Sequence, residues 1–282
     1  MKVDEIFKEM EVLKKIPNVL HKEIGKSVLG QPIDAFFVGT DKGKQFLVEG
    51  AIHAREYINS LVIIQMIKYY SMQKLPFGVW FVPLVNTDGV GLCLEHLSYE
   101  KLSPHRKQML LKINNANADF SLWKANIRGV DLNVHFDALW GGGRQNVKLP
   151  SSCNYIGKKP NSEPEVKTLI KFAKQVKPDL TLSFHSKGKV IYYGFETLTK
   201  KEIKRDYLIA KAIQKINGYK PVKTKKSTGG FSDWISMQHK VPALTVEVGD
   251  DKLKHPIGMQ WLDTIFQENK NILFTCYQFL QK

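Results

Sequence analysis

The sequence contains few cysteines, and none of them belongs to a paired motif. Its 282 residues include only three, Cys93, Cys153 and Cys276, which lie far apart, and no CxxC pair occurs. An odd number of widely separated cysteines argues against a disulfide framework. We therefore expect reduced, structural thiols, as in a cytosolic protein.

Long apolar runs are also absent. No uninterrupted apolar stretch reaches the roughly 18 to 20 residues that a helix needs to span a bilayer. The N-terminal stretch MKVDEIFKEMEVLKKIPNVL mixes acids and bases every few residues and lacks the apolar segment of a signal peptide. We therefore expect no membrane span, no secretory signal and a cytoplasmic location. The helical spacing of its apolar residues predicts a helical extension over residues 1–25, packed on a single domain of residues 26–282.

Acidic residues are fewer than basic residues. There are 27 acidic residues against 42 basic ones, which gives a net charge of +15, and only five of the basic residues are arginine. Nucleic-acid grooves rely on arginine for base and phosphate contacts, so this composition and the lack of a binding motif give no reason to expect a nucleic-acid partner. A lysine-rich solvated surface is the simplest interpretation. The functional alternative is attraction of an anionic substrate.

Apolar strands alternate with amphipathic helices along the chain. The stretches KQFLVEGAI, VWFVPLV, DLTLSFHS and PALTVEVG are typical of buried strands, and helical spacing dominates the stretches between them. One long helix is predicted at the C-terminus, over MQWLDTIFQENKNILFTCYQFLQK. The alternation predicts an α/β fold with a mixed, largely parallel central sheet and helices on both faces.

Polar residues follow the ends of four predicted strands. Because the carboxyl ends of parallel strands meet at one edge of a sheet, functional sites form there. A scaffold without a site would not need polar groups at four such positions. The residues are His53, Glu56, Asn86, Asp88, His185 and Glu247.

The spacing of His53 and Glu56 is suited to a metal ion. They lie three positions apart, so one turn of backbone can direct both at a single zinc, and His185 would supply a third ligand. Zinc lowers the pKa of its bound water to about 7, and Glu247 is the candidate carboxylate for taking the proton of that water. Alone, a His-x-x-Glu pair is a weak signal. The alternative is a helix start whose glutamate complements the dipole, with His185 as a hydrogen-bonded structural residue.

Six pieces of the sequence together resemble the zinc carboxypeptidases of the carboxypeptidase A type. They are GAIHAREYIN, VPLVNTDG, WKANIRGVDLNVHFD, SEPEVKTL, LSFHS, and GGFSDW followed by VPALTVEVG. The resemblance runs from about residue 26 to 250. The pieces VDLN, SEPE, SFHSKGKVIYY and EVGDDKLKHPIG look most like the bacterial branch, which includes γ-D-glutamyl-meso-diaminopimelate peptidases.

The resemblance implies a catalytic set around one zinc ion. His53, Glu56 and His185 match the zinc ligands, and Glu247 matches the general base. Asp131 matches a carboxylate that hydrogen-bonds the first zinc histidine, which would fix the orientation of that ring. The implied fold is that of a zinc carboxypeptidase.

The resemblance also implies substrate contacts. Arg55 matches an arginine that helps hold the scissile carbonyl or the residue before it, and Lys124 stands where the family has an oxyanion-stabilising arginine. Asn133 matches the Asn of an Asn-Arg pair that binds the substrate's terminal carboxylate, but the Arg of that pair is Val134 here. Lys225 stands in place of a tyrosine of the digestive members.

These departures put a standard exopeptidase specificity in doubt. An apolar Val134 cannot bind a carboxylate, and Ser232 stands where the digestive enzymes have their pocket-floor residue. Four cations are candidates to replace the missing arginine, although plain surface charge is the simpler interpretation of each. They are Arg144, Lys187, Lys225 and Lys252.

The sequence therefore predicts a hydrolase, namely a zinc metallopeptidase that uses a metal-activated water. Its expected substrate is a peptide or muropeptide of the γ-D-Glu-diaminopimelate type, whose several carboxylates suit a lysine-rich surface. The alternatives are a metallocarboxypeptidase of other specificity, an N-acyl amino acid deacylase on the same fold, and a non-catalytic binding protein. Loss of the metal ligands would mark the last of these, and the ligands are present. The oligomeric state stays open.

Overall fold

One mixed sheet runs through the molecule. The computed structural model describes residues 1–281, and in that range the sheet has eight strands in the order β1-β2-β4-β3-β5-β8-β6-β7. The strands are β1 Leu20–Lys26, β2 Pro32–Gly39, β3 Gln45–Gly50, β4 Gly78–Val82, β5 Leu180–Ser186, β6 Val190–Tyr193, β7 Lys220–Lys223 and β8 Ala243–Val248.

The centre of the sheet is parallel and its flanks contain antiparallel pairs. Strand β3 pairs parallel with β4 and β5, and β5 pairs parallel with β8. The pairs β1–β2, β2–β4 and β6–β8 are antiparallel. All seven residues of β5 are buried, as expected for a central strand that is covered on both faces, although its sequence LTLSFHS alternates apolar and polar residues. The predicted mixed, largely parallel α/β sheet is confirmed.

Helices cover both faces of the sheet. The face that carries Phe46 and Val48 of β3 packs against most of the helices, whereas the face that carries Leu47 packs against α5 and α7. This division follows from the alternation of side chains along each strand. The helices are α1 Val3–Leu13, α2 Ile58–Ser71, α3 Thr87–Glu95, α4 Pro104–Ile113, α5 Pro164–Val176, α6 Lys200–Asn217, α7 Phe231–His239, α8 Leu262–Asn269 and α9 Ile272–Leu280.

The N-terminal segment is part of the core. Val3, Ile6, Met10 and Leu13 of α1 are buried in the same cluster as the large sheet residues. The boundary expected between residues 25 and 26 falls inside β1, because Leu20–Lys26 pairs with β2 from end to end. Residues 20–25 are therefore strand rather than helical extension.

The C-terminus forms two helices where one long helix was predicted. Helix α8 ends at Asn269 and α9 begins at Ile272. The side chain of Asn269 is buried and donates to the backbone oxygen of Ile265 and to the hydroxyl of Tyr219. These contacts join the last residue of α8 to Tyr219, which directly precedes β7. None of the helices in residues 1–281 is both long and apolar enough to cross a membrane.

Candidate metal and catalytic site

Three buried side chains meet where β3 and β5 end. The Nδ1 atoms of His53 and His185 lie 3.1 Å apart. His53 Nδ1 is 3.0 Å from Glu56 Oε1, and His185 Nδ1 is 3.1 Å from Glu56 Oε2. We call these three residues the His-Glu-His cluster. The structure therefore brings together the three residues that the sequence marks as metal ligands.

The local backbone explains how His53 and Glu56 come to face the same point. A short 3-10 helix, Ala54–Glu56, follows β3, and the Glu56 N–H donates to the His53 carbonyl at 3.1 Å. In a 3-10 helix, side chains three positions apart eclipse one another. The pair is thus a 3-10 turn that directs both side chains inward, rather than the start of an amphipathic helix.

One buried amide holds this turn against the rest of the site. Asn86 Nδ2 donates to the carbonyl of Ile52 at 3.2 Å and to that of Ala125 at 3.0 Å. Its Oδ1 accepts from the Gly89 N–H and caps α3. Asn86 is therefore a structural residue of the site, and so is Asp88, which accepts from the backbone N–H of Leu29.

The cluster has the composition and spacing of a zinc site. Two imidazole nitrogens and one carboxylate are typical ligands of catalytic zinc, and tetrahedral bonds of about 2.0–2.1 Å would separate two nitrogen ligands by about 3.3 Å. The observed Nδ1–Nδ1 separation of 3.1 Å is close to that value. Within residues 1–281, this is the group of His, Cys, Asp and Glu whose ligand atoms converge closely enough to hold an ion. The residues fit one zinc ion.

Charge coupling within the cluster is strong. Burial alone would raise the pKa of Glu56, but the two imidazoles outweigh it and hold that pKa well below its usual range. Burial alone would lower the pKa of His185, but the carboxylate of Glu56 raises it to about 9. Zinc binds the deprotonated forms of such side chains, so its affinity should fall as pH is lowered.

Asp131 lies behind His53. Its Oδ1 is 3.3 Å from His53 Nε2, and its Oδ2 is 3.1 Å from the ammonium of Lys124. It also accepts from the backbone N–H groups of Asn133 and Asn154. Burial raises the pKa of this carboxyl, but Lys124 and His53 outweigh it and lower the pKa below its ordinary value. The predicted carboxylate is therefore next to the predicted histidine.

Glu49 is a buried acid near the site that the sequence analysis missed. It is a register partner of Ser183 on β5, so it lies on the same sheet face as His185 two residues further on. In the described part of the chain, neither of its oxygens has a hydrogen-bond partner, and His185 Nε2 also has none. Burial raises the pKa of Glu49 to about 7. The available signal was a single acid inside the apolar strand FLVEGAI.

Glu247 occupies β8 directly beside His185. The two residues are register partners on adjacent parallel strands. Burial raises the pKa of Glu247 to about 7, and the nearby Glu56 adds to the rise. A carboxylate with a pKa near 7 is suited to accepting and returning a proton at neutral pH.

A cavity of about 330 Å³ opens in front of these groups. His53, His185, Lys124 and Glu247 line it, together with hydroxyl-bearing residues that include Ser232 and Thr245. The Ser232 hydroxyl is 3.0 Å from that of Ser183 and 3.1 Å from that of Thr245. Two of these three hydrogen-bonded hydroxyls, those of Ser232 and Thr245, belong to residues that line the cavity and could bind a polar substrate group.

Some of the candidate substrate-binding residues line the same cavity as the proposed zinc ligands and base. Lys124, Asn133 and Lys225 line the first cavity, and all three also line a second cavity that continues from it. Arg55 does not line the first cavity, but its charge lowers the pKa of Glu247, after the larger effects of burial, His185, Glu56 and Lys124.

The four cations that are candidates to replace the missing arginine differ in whether they line the candidate site. Arg144 lines the second cavity, next to Val134. Lys187 lies 3.2 Å from a carboxylate oxygen of Asp251, and Lys252 lines a separate cavity. Arg144 and Lys225 are therefore the two of the four that face the candidate site.

Comparison with known proteins gives the same architecture. A family model described as "Zinc carboxypeptidase" matches residues 6–272. The gamma-D-glutamyl-L-diamino acid endopeptidase 1 of Lysinibacillus sphaericus is 31% identical over 261 residues, 87% of this chain and 64% of that protein, so the chain spans just under two thirds of that relative's length. The uncharacterized protein YqgT of Bacillus subtilis is 31% identical over 293 residues, which are 96% of this chain and 76% of that protein.

Solved structures agree on the fold. Bovine thrombin-activatable fibrinolysis inhibitor, solved in complex with tick carboxypeptidase inhibitor, superimposes with a TM-score of 0.78 at 21% identity. The superposition covers 100% of this chain and 97% of that one. The same mixed sheet and its helices are therefore present in both proteins.

Proposed function

The chain belongs to the zinc carboxypeptidase family, and we propose that it is a zinc metallopeptidase that hydrolyses a γ-D-Glu-diaminopimelate amide bond in peptidoglycan stem peptides. The observation that carries the chemistry is the position of Glu247, in register with His185 and beside the His-Glu-His cluster. A base and a metal site that share one cavity are what amide hydrolysis requires.

The proposed catalytic roles follow from the geometry. His53 and His185, through their Nδ1 atoms, and Glu56, through its carboxylate, would hold the zinc ion. When bound, zinc polarises a carbonyl and acidifies a water molecule. Glu247 accepts the proton of the attacking water on a carboxylate oxygen and then delivers it to the leaving amine.

Two cations lie close enough to Glu247 to lower its pKa, and we assign them to stabilising the oxyanion. Lys124 keeps its positive charge because Asp131, at 3.1 Å, outweighs the effect of burial and raises the Lys124 pKa. Arg55 carries a second charge close enough to influence Glu247. Positive charge placed before the reaction stabilises an oxyanion without reorganisation.

Two observations support a stem-peptide substrate. The relative from Lysinibacillus sphaericus carries the name of an endopeptidase for gamma-D-glutamyl-L-diamino acid bonds. Stem peptides carry several carboxylates, and the chain has a net charge of +15 with cations at the site. Charge complementarity of this kind raises the local substrate concentration.

Digestion of purified muropeptides tests the proposal. The zinc-loaded protein, the chelated protein and the chelated protein with zinc restored are incubated with muropeptides, and products are identified by mass spectrometry. We expect cleavage between D-Glu and diaminopimelate that disappears with chelation and returns with zinc. Cleavage elsewhere, or none, contradicts the substrate assignment.

A second candidate is an N-acyl amino acid deacylase on the same fold. The observation that favours it is Val134, which lines the second cavity with an apolar side chain and cannot hold a peptide carboxylate. A panel of acyl-amino acids, assayed beside the γ-D-Glu-diaminopimelate peptides, separates the two. Turnover of the acyl-amino acids alone would establish the deacylase.

A further inference from the structure

Helix α6 turns one side to the core and the opposite side to solvent. Ile209, Ala210 and Ile213 are buried in the cluster that packs on the sheet face carrying Phe46. On the solvent side, exposed residues recur at intervals of three or four positions, so they form one stripe along the helix. We call this stripe, with two exposed apolar residues beside it, the α6 face. The stripe consists of Lys201, Lys204, Leu208, Lys211 and Lys215, and the residues beside it are Tyr207 and Ile216.

The positive charge of the α6 face is uncompensated. Its four lysines form no ion pair with any residue of the described chain. Lys211 Nζ donates instead to the neutral amide oxygen of Gln214 at 2.7 Å. Of the acids in α6, Asp206 is buried on the inner side and Glu202 is bonded back to the helix start in a capping box. Four cations therefore lie along one side of a helix roughly 27 Å long, and such a surface attracts an anionic partner.

Apolar side chains lie among these lysines. Leu208, Tyr207 and Ile216 keep 42%, 39% and 42% of their surface exposed, and Leu208 stands between Lys204 and Lys211 in the stripe. A soluble polyanion would satisfy the ammonium groups but would leave these apolar groups in water. A bilayer with anionic head groups offers phosphates to the ammonium groups and an apolar region to Leu208 and to the lysine stems. The combination favours a lipid surface over a soluble polyanion.

Helix α5 has a similar number of lysines but a different surface. Its Lys167, Lys171 and Lys174 are exposed and also recur at intervals of three or four positions. None of the large apolar residues of α5 is exposed, however, and the helix packs on the opposite face of the sheet, the face that carries Leu47. Exposed apolar groups among lysines therefore distinguish α6 from α5, and α5 provides a control of matched charge.

We propose that the α6 face docks on a phospholipid bilayer with anionic head groups. The helix lies along the bilayer surface, its lysines contact the phosphates, and Leu208 and Tyr207 enter the head-group region, where such side chains are stable. No residue of α6 belongs to the His-Glu-His cluster or lines the two cavities at the candidate site. The docking therefore goes beyond the proposed function, and either can be wrong without the other.

Co-sedimentation with vesicles tests the docking. The zinc-loaded full chain is mixed with vesicles of equimolar phosphatidylglycerol and phosphatidylcholine, or of phosphatidylcholine alone. We expect binding to the anionic vesicles only. Its affinity should fall at least about tenfold between about 0.1 M and 1 M salt, because the Debye length falls from about 10 Å to about 3 Å. Equal binding to both kinds of vesicle, or binding to neither, contradicts the proposal.

Two triple variants assign the binding to one helix. A lysine near an anionic surface contributes about fivefold in affinity, so the α6 variant should bind anionic vesicles about 100-fold more weakly than wild type. The α5 variant loses the same charge from the other face of the sheet and should stay within about twofold. Equal losses in both variants would show attraction by net charge alone and would contradict the α6 face. The α6 variant carries Lys204→Gln, Lys211→Gln and Lys215→Gln, and the α5 variant carries Lys167→Gln, Lys171→Gln and Lys174→Gln.

Leu208→Ser separates a bilayer from a soluble polyanion. The substitution removes an apolar group and no charge, so vesicle binding should weaken about tenfold while retention on a heparin column stays the same. Thermal melting and muropeptide turnover without vesicles should match wild type in every variant, because the changed residues are exposed and lie outside the candidate site. Wild-type vesicle binding by Leu208→Ser, or retention on heparin without vesicle binding, would make the partner a polyanion and would contradict the bilayer.

Discussion

His185 and Glu247 are register partners on the adjacent parallel strands β5 and β8. The proposed zinc ligand and the proposed base are therefore separated by one inter-strand spacing, about 4.8 Å between backbones. Both strands are hydrogen-bonded within the sheet, and β5 is wholly buried. The position of the base relative to the metal site is thus set by the sheet itself and not by a loop.

Replacing the base should stop the reaction without removing the metal. Glu247→Gln keeps the shape of the side chain but cannot accept a proton, so we expect kcat to fall by about 10²–10⁴-fold. Zinc content, measured by atomic absorption, should stay near one ion per chain. Glu100→Gln, an exposed substitution, serves as the control. Near-wild-type turnover in the Glu247 variant would remove it from the catalytic role.

The rate should depend on pH through Glu247. Its pKa is raised to about 7 by burial, and only the ionised form accepts a proton, so kcat/KM should fall about tenfold per pH unit below 7. Lys124 lowers this pKa, so Lys124→Met should move the acidic limb to higher pH. Lys252→Met should leave the limb in place. A kcat/KM that does not change between pH 5.5 and 7.5 is incompatible with this base.

Asp131 should control zinc affinity. Asp131→Asn keeps the size of the side chain but removes the charge 3.3 Å from His53 Nε2, and we expect a loss of about 10- to 100-fold in zinc affinity. Competition with a chromogenic chelator measures it. Asp137→Asn, at an exposed position, is the control. Unchanged affinity in a variant that melts normally would mean that Asp131 supports only Lys124 and the backbone.

Zinc should stabilise the fold by mass action. Free zinc at 100 times its dissociation constant adds about 2.7 kcal/mol to the free energy of unfolding. Calorimetry should therefore show a melting temperature that rises with free zinc. His185→Ala should abolish the dependence, and His105→Ala, at an exposed position, should retain it. A zinc response that survives in His185→Ala would place the ion elsewhere.

Glu49 should make stability depend on pH. Its pKa is about 7 when folded, above the ordinary value of about 4.3, so the folded chain binds more protons and loses stability as pH rises from about 4.3 through 7. Glu49→Gln removes this loss. The chelated variant should gain in melting temperature over chelated wild type at pH 8 and not at pH 4. An equal difference at both pH values would show that Glu49 does not titrate as described.

The convergence of the four proposed site residues was predictable in part because some of its signals are local. His53 and Glu56 stand three apart, and His185 and Glu247 each lie at or near the end of a recognisable strand. Parallel strands bring their carboxyl ends to one edge, which favours convergence. The local pattern alone was a weak signal, and the roles of these residues were assigned from the resemblance to the zinc carboxypeptidases. The fold class followed from the same alternation of strands and helices.

The remaining features depend on contacts between distant segments. Arg144 and Lys225 share one cavity although they are about 80 positions apart, and nothing in either local sequence indicates it. In the sequence, Glu49 is a single acid within an apolar strand. Only the register of β3 with β5 shows that it lies on the same sheet face as His185. At the break between α8 and α9, Asn269 donates to the hydroxyl of Tyr219, which lies 50 positions earlier in the chain. Local patterns carry no information about such partners.

The side-chain amide of Asn86 affects how much the chain must reorder when the zinc ion binds. It joins the residue before His53 to the residue after Lys124 through two carbonyls, at 3.2 and 3.0 Å. The two loops are therefore braced to each other by the folded chain before any metal arrives. Little of the ion's binding free energy is then needed to order the polypeptide, in contrast to small zinc modules that fold around their metal. The structures of the metal-free and the zinc-bound protein should therefore superimpose closely, because the ligands are already in position before the ion binds.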